Sequence, residues 1–305
     1  TSLLQHGPAI TSNFLVCLMN WEFVTDDEGN LWEQLKKRLA WSFYWLFQGV
    51  WPDRDERGNK YQCDSVEGRR AGNPLAGGYY GCLWVVRGDL EYMTKAWGFP
   101  SATGMRRCAL CRADTRLVPW TDVRPEAAWR ATCWKVAPAW ARAHEDRSVL
   151  FREIPGLSVL NYMPDAMHTL HLGVYQYFFG SILEYMTHHM LPRSPEKNMF
   201  NLWIEILEKY KELKVENRFT ALRVTAFKRK DQMPLLNGKA ANIASLAKPL
   251  LAGTEKHLKA PGKHHTMMKL AMQKCVDLEE ILYAHPDVFV LPASVAKRFS
   301  QAGFD

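Results

Sequence analysis

A short apolar run, YYGCLWVV, occupies residues 79–86 of the chain. Its aromatic and β-branched residues are typical of a buried β-strand. Arg87-Gly88-Asp89 follows it, and the apolar spacing of LEYMTKAW then predicts a short helix over residues 90–97. An aspartate at the exit of a strand can hold a hard cation at the edge of an α/β sheet. It can equally be the N-cap of the next helix, so both roles stay open for Asp89.

Helical patterns dominate the remainder of the chain. Apolar residues recur at helical spacing over residues 30–47, 125–136, 169–190, 198–213, 238–251 and 266–284. Stretches rich in Gly, Pro and charge, at residues 51–78 and 98–124, are typical of loops. The sequence therefore predicts an α/β part over residues 1–124 and a mainly α-helical part over residues 125–305.

Composition and charge exclude several classes of protein. The 305 residues are 47% hydrophobic, which is enough for a sizeable core and excludes collagen, coiled-coil and disulfide-scaffold classes. The net charge of +7 is spread along the chain, so it permits a polyanionic partner without establishing one. The N-terminus carries no initiator Met and no signal-peptide pattern, and no apolar run is long enough to cross a membrane. We therefore expect a segment of a longer, intracellular protein.

Seven cysteines, an odd number, indicate a reducing compartment. Cys108 and Cys111 form a C-x-x-C motif within MRRCALCRAD, and the other five stand singly: Cys17, Cys63, Cys82, Cys133 and Cys275. Two thiolates at this spacing can supply half of a tetrahedral Zn²⁺ site. The neighbouring arginines would stabilise thiolates in a metal site or in a redox site. A chance pair of cysteines remains an alternative.

A second candidate motif is PDAMHTLHLG, which contains Asp165, His168 and His171. On a helix beginning near Asp165, these three residues fall on one face and could present an oxygen and two nitrogens to a metal ion. They could complete the site of Cys108 and Cys111 or form a separate site. The alternative is an N-cap followed by two ordinary helix histidines. The pairs His188-His189 and His264-His265 are interpreted as polar surface.

A basic stretch, RFTALRVTAFKRK, covers residues 218–230. Cations interleaved with apolar residues suit salt-sensitive contacts to DNA phosphates, although a solvated protein face is the alternative. The candidate contacts are Arg218, Arg223, Lys228, Arg229 and Lys230. No phosphate-binding loop, GxGxxG, GxSxG or HExxH motif occurs, so NTPase, Rossmann, α/β-hydrolase and zincin functions receive no support.

The order of three of these motifs resembles the CACTA-type DNA transposases, which belong to the acidic-triad recombinases. The motifs are LWVVRGDLEYMTKAWGF, GMRRCALC and PDAMHTLHLGV, and the likeness covers roughly residues 1–183. The resemblance implies a partial RNase H-like core followed by a mainly α-helical insertion domain. It also implies that Asp89 is the second of three acids that bind Mg²⁺ or Mn²⁺ for attack on a DNA phosphodiester. A structural Zn²⁺ is implied at Cys108, Cys111, His168 and His171, with Asp165 as a further candidate ligand.

The family's first and third acids have no counterpart here. The first lies N-terminal to the region that TSLLQHG matches, and the third lies beyond the helical insertion. Because one carboxylate cannot hold two catalytic metal ions, we expect an inactive middle segment of a transposase-like protein. Its implied partner is DNA, its implied location is the nucleus, and a homo-oligomer is possible. Two alternatives stay open: a zinc-stabilised DNA- or protein-binding module without catalysis, and a helical interaction protein that uses its Trp and Tyr residues as anchors.

Overall fold

The structure, a computed structural model, describes residues 31–101, 103–135, 149–229, 231–259, 262–285 and 291–304. The chain divides into two compact units, Thr1–Pro164 and Asp165–Asp305, which are described separately. The described residues are mainly helical and include one two-stranded parallel sheet. The mainly helical character predicted for the C-terminal part is consistent with this, and the RNase H-like core predicted for the N-terminal part stays a prediction. In the same described ranges, no helix is long and apolar enough to cross a membrane.

Unit 1 contains one long helix, several short helices and the small sheet. They are α1 (Leu31–Gln48), α2 (Val66–Arg70), β1 (Val86–Gly88), α3 (Leu90–Trp97), α4 (Ala128–Ala131), α5 (Val149–Glu153) and β2 (Tyr162–Pro164). The two strands are parallel, with Val86 opposite Tyr162 and Gly88 opposite Pro164. Parallel neighbours require a crossover connection, and α3 begins that connection directly after β1.

Helix α3 has the bounds that its sequence pattern predicts. Asp89 caps its N-terminus, and Gly98 ends it in the left-handed conformation at φ 68°, which glycine adopts without strain. Met93, Ala96 and Trp97 form its buried face. The core of unit 1 continues through aromatic contacts, among them Trp97 with Phe151 at a centroid distance of 5.3 Å. Burial of this face fixes where α3 lies against the sheet.

The expectation of a strand over residues 79–86 is wrong for most of that range. Only Val86–Gly88 forms a strand, and residues 79–85 have no regular structure. Tyr79, Tyr80 and Trp84 are largely exposed, at 80%, 75% and 67%. A strand needs a hydrogen-bonding neighbour, and the ladder with β2 begins at Val86. An aromatic, β-branched composition was therefore not sufficient to specify a strand.

The helix expected over residues 125–136 is also shorter in the structure, where α4 covers Ala128–Ala131 alone. The segment after α4 bonds to the C-x-x-C loop instead of continuing the helix. The backbone N–H of Arg112 donates to the Thr132 hydroxyl, and that of Trp134 donates to the Leu110 carbonyl. Tertiary hydrogen bonds thus replace the helical ones that the pattern predicted. The expected end at residue 136 lies outside the described residues.

Unit 2 is a helical bundle. It opens with a π-helical segment, Met167–Tyr175, which runs into α6 (Gln176–Tyr185) and then a π-helical turn, Met186–Met190. The remaining helices are α7 (Pro195–Glu212), α8 (Ala240–Ser245), α9 (Ala247–His257), α10 (Lys263–Ala284) and α11 (Ala293–Phe304). Large side chains fill the core, including Tyr175, Phe179, Leu183, Leu202 and Ile206.

Three predicted helices of unit 2 are confirmed within a few residues, those over 169–190, 198–213 and 266–284. The helix expected over 238–251 is two helices, α8 and α9, which are separated at Leu246. Pro249 explains the break, because proline has no N–H to donate to the carbonyl of Ser245 in an unbroken helix. In the first turn of α9 that missing donor costs nothing.

Candidate functional site

Asp89 lies directly after β1 and caps α3. Its Oδ1 accepts a hydrogen bond from the backbone N–H of Tyr92 at 2.6 Å. The side chain is half-buried at the carboxyl end of the parallel pair, where functional residues of α/β sheets are commonly placed. Of the two roles predicted for Asp89, the structure shows the helix cap. Its role as a cation ligand stays a prediction.

Cys108 and Cys111 lie side by side in unit 1. The Cys111 S–H donates to the Cys108 sulfur, and this bond lowers the pKa of Cys108 to about 6. The same bond raises the pKa of Cys111 well above its ordinary value. The pair therefore contains one thiolate and one thiol near neutral pH, with the thiolate at Cys108. A thiolate is the form that binds metal ions and attacks electrophiles.

The arginines beside the motif have a different role from the one expected. The Arg107 guanidinium lies 4.9 Å from the ring centre of Trp120, and that of Arg112 lies 5.1 Å from the ring centre of Trp134. The shift in the Cys108 pKa comes from Cys111 and from backbone N–H groups. The expectation that Arg107 and Arg112 stabilise the thiolates is therefore wrong, because their cations stack on aromatic rings instead.

Cys133 stands alone in the sequence, but its segment lies beside the Cys108–Cys111 pair. The hydrogen bonds from Arg112 to Thr132 and from Trp134 to Leu110 set the segment of Cys133 beside that of Cys111. Cys133 and Cys111 are also close enough to interact electrostatically, because negative charge on Cys133 contributes to the raised pKa of Cys111. No sequence spacing links the two, since the contact depends on how the intervening loop folds.

Asp165 and His168 form a contact at the start of unit 2. Oδ1 of Asp165 accepts from the Met167 N–H at 3.3 Å, and its Oδ2 lies 2.5 Å from Nδ1 of His168. Asp165 is buried, whereas His168 is partly exposed. A carboxylate on one ring nitrogen orients a histidine for a metal at the other nitrogen. Asp165 is therefore placed to orient the His168 ring, and Nε2 of that ring is the atom available to a metal ion.

His171 contacts a different carboxylate from the one that His168 contacts. Its Nε2 lies 2.9 Å from Oε1 of Glu279, which is on α10 and 95% buried. The Tyr175 hydroxyl donates to the Cys275 carbonyl at 3.1 Å, and burial together with the Glu279 charge raises the Tyr175 pKa. His168 and His171 thus contact two different carboxylates. The expectation that they share a face with Asp165 assumed α-helical geometry, and the segment is π-helical.

Glu279 also lines a cavity of about 360 Å³ in unit 2. Lys248 and Glu280, which form an ion pair at 2.9 Å, line it as well, together with Tyr283. A carboxylate 108 positions from its histidine partner has no signal in the sequence, so sequence reasoning missed Glu279 as a partner of His171.

Three of the four histidines in the two pairs lie around one side chain. The Tyr185 ring contacts those of His189, His264 and His265 at centroid distances of 5.9, 5.3 and 5.8 Å. The Tyr185 hydroxyl lies 2.9 Å from Nε2 of His265, which is buried. The interpretation of these pairs as polar surface is therefore wrong for His265.

The basic segment, defined here as Arg218–Arg229, alternates exposed cations with buried anchors. Its exposed cations are Arg218, Arg223, Lys228 and Arg229, and its buried side chains are Phe219, Leu222, Val224 and Phe227. Lys230, the fifth predicted DNA contact, lies outside the described residues. Two lysines farther along are neutralised, because Lys256 pairs with Glu205 at 2.6 Å and Lys248 pairs with Glu280. Lys239, Lys259 and Lys263 are exposed as well, so the basic segment shares the positive surface of this region with them.

Within the described ranges, no three His, Cys, Asp or Glu side chains are grouped as a metal-binding set. The predicted ligands are distributed between unit 1, which holds Cys108 and Cys111, and unit 2, which holds His168 and His171. Comparison of the chain with protein-family models, with curated proteins and with solved structures found no match.

Proposed function

We propose that this chain is a DNA-contacting segment of a transposase-like strand-transfer protein. The observation that carries the proposal is the basic segment, in which four exposed cations alternate with side chains buried in the core of unit 2. Solvent-accessible Arg and Lys side chains are common sources of phosphate contacts, which fix the orientation of a protein on DNA. Buried anchors hold the backbone in place, while the cations remain free to reach a phosphate.

The backbone of the basic segment supports this role. Its regular structure amounts to the single 3₁₀ turn at Val224–Ala226, so its cations do not form one helix face of paired charges. No carboxylate of the described residues forms an ion pair with Arg218, Arg223, Lys228 or Arg229. An unneutralised cluster attracts phosphate, whereas the paired Lys248 and Lys256 have carboxylates that compete with it.

The strand-transfer part of the proposal rests on Asp89. Its position after β1, at the carboxyl end of a parallel pair, is a common place for a metal-binding acid. Its Oδ1 serves the α3 cap, and Oδ2 is the atom proposed to hold Mg²⁺ or Mn²⁺. Because a two-metal reaction needs further carboxylates, we expect no strand transfer by this chain alone. A DNA partner also implies a nuclear location.

A structural zinc is proposed at Cys108 and Cys111. The donors suit the ion, because the pair supplies soft sulfur ligands and one of them is already a thiolate near neutral pH. Zinc would cross-link the loop that holds them and would take no part in DNA chemistry. The assignment of His168 and His171 as the remaining ligands stays a prediction.

The test of DNA contact compares two double variants that remove equal charge. Arg223→Gln with Lys228→Gln removes two cations of the basic segment, and Lys248→Gln with Lys256→Gln removes two paired lysines. Binding to a labelled DNA duplex is measured by fluorescence anisotropy over a salt series. The first variant should flatten the slope of log affinity against log salt by about 2, at about 0.9 per lost phosphate contact. The second variant should leave the slope unchanged, and equal slopes in both would overturn the proposal.

A binding module without catalysis is the second candidate, favoured by the observation that Asp89 caps α3. This second candidate keeps the zinc site and the basic segment of the first, but Asp89 has no catalytic role in it. A longer form of the protein that supplies further acids separates the two candidates. Mg²⁺-dependent DNA nicking that Asp89→Asn abolishes would exclude the module, because Asn preserves the cap and removes the charge.

A further inference from the structure

We infer that a cavity in unit 1 binds a nucleotide whose base is unpaired, either free or within a single strand. The base would stack on aromatic side chains, and the phosphate would contact cations of the same cavity. This site goes beyond the DNA contact proposed for the basic segment of unit 2. The cavity has a volume of about 740 Å³, which is within the usual range for small-molecule sites. Its walls come from α1, from the loop over residues 53–58 and from the end of α5.

The first argument is an aromatic face of α1 that lies outside the core. Leu39 and Phe43 pack against the core of unit 1. Trp41, Tyr44 and Trp45, which are one helical turn apart, line the cavity instead. None of these three rings is fully buried, so each has surface on which a base can stack.

The second argument is that these rings are held in position. The Trp41 indole N–H donates to the Arg54 carbonyl at 3.2 Å, which ties the ring to the loop. The loop is fixed in turn, because the Asp55 carboxylate accepts three hydrogen bonds from the residues that follow it. The Tyr44 and Trp45 rings are perpendicular, at 88°, with their centroids 5.4 Å apart. A preformed aromatic corner reduces the ordering cost of binding.

The third argument is the charge that the cavity leaves available to a ligand. Three of its carboxylates already have partners: Asp53 with Arg54 at 2.8 Å, Glu56 with Arg38 at 3.9 Å, and Asp55 with the loop. Lys37 and Arg152 also line the cavity, and neither forms an ion pair with any described residue. Two available cations suit a phosphate and disfavour a positively charged ligand. The carboxylate of Glu153, which also lines the cavity, suits the amino group of a base.

The experiment titrates the full chain into two fluorescent probes, 2-aminopurine deoxyribonucleoside monophosphate and a single strand of oligothymidylate that contains one 2-aminopurine. The fluorescence of this base is quenched when it stacks on an aromatic ring, so quenching reports the contact itself. The unaltered chain should quench the probe that it binds. Arg223→Gln with Lys228→Gln should leave the quenching of the mononucleotide unchanged, so this site and the basic segment are tested separately.

Two matched pairs of variants locate the site. Tyr44→Ala and Phe47→Ala each remove a ring of α1 with similar exposure, 41% and 42%, but only Tyr44 lines the cavity. Tyr44→Ala should weaken nucleotide binding by about fivefold or more, and Phe47→Ala should leave it unchanged. Arg152→Gln should weaken binding of the monophosphate but not of the nucleoside, which has no phosphate. Arg57→Gln, at an exposed arginine that does not line the cavity, should affect neither.

The two probes also identify the source of the nucleotide. Quenching of the single strand, with or without the mononucleotide, would show that the cavity takes an unpaired base of DNA. Quenching of the mononucleotide alone would show that it takes a free nucleotide, and either result supports the site. The inference would be overturned if the unaltered chain quenched neither probe or if Tyr44→Ala and Phe47→Ala had equal effects. Displacement of the probe by tetramethylammonium would also overturn it, because the cavity would then prefer an organic cation.

Discussion

Gly88 and Pro164 are partners in the parallel register of β1 and β2. Both strands therefore end at the same level of the sheet, and Asp89 is the first residue after β1. This relationship places an acid at the carboxyl edge of a parallel pair, although the strand itself is three residues long. The same acid caps α3, so its structural and proposed catalytic roles must be separated by experiment.

Two substitutions of Asp89 separate those roles. Asp89→Ala removes the acceptor of the Tyr92 N–H and should lower the free energy of unfolding by about 1 kcal/mol, whereas Asp89→Asn should be nearly neutral. Urea denaturation checks both values. Equal losses in the two variants would mean that the charge of Asp89, and not its cap, stabilises the fold.

The contact between His171 and Glu279 should contribute to the stability of unit 2. Glu279→Ala leaves the partly buried His171 without its hydrogen-bond partner and should cost about 2 to 3 kcal/mol, as loss of a buried hydrogen bond to a charged group does. Glu280→Ala is the matched control on the same helix. It breaks a half-exposed pair with Lys248 and should cost at most about 1 kcal/mol. Similar losses in both variants, measured by urea denaturation, would contradict the account.

Cys108 should be the reactive thiol of the metal-free pair. Its pKa is lowered to about 6 because Cys111 donates a hydrogen bond to its sulfur, so its alkylation rate should rise through about pH 6 and level off above pH 7. The raised pKa of Cys111 keeps that thiol protonated and unreactive over the same range. Cys111→Ala removes the donor and should move the Cys108 midpoint to higher pH. An unchanged midpoint, followed by iodoacetamide labelling and mass spectrometry, would contradict this origin of the shift.

The parts of the fold that sequence reasoning predicts are those set by local interactions. Helix α3 has its cap, its apolar face and its terminal glycine within ten consecutive residues, so its bounds follow from the sequence. The strand expected over residues 79–86 depends instead on a partner in another part of the chain. Composition identifies residues that suit a strand, but it does not supply the hydrogen-bonding neighbour.

The candidate site divides in the same way. Asp89 and the Cys108–Cys111 pair come from short motifs and lie where those motifs place them, after β1 and side by side. The hydrogen bond of Arg112 with Thr132, which lies next to Cys133, and the contact of His171 with Glu279 join residues far apart in the chain. They arise from tertiary packing, which no local spacing encodes. The sequence identifies the cations of the basic segment, and the structure shows that the apolar residues between them are buried.

The most direct test of the central claim is the affinity of the unaltered chain for duplex DNA at two salt concentrations. Four phosphate contacts, one for each exposed cation of the basic segment, predict a loss of about a hundredfold between about 50 mM and about 200 mM salt. The account predicts that loss, with little dependence on DNA sequence. Undetectable binding at the lower salt concentration, or an affinity that does not change with salt, would contradict a DNA-contacting function.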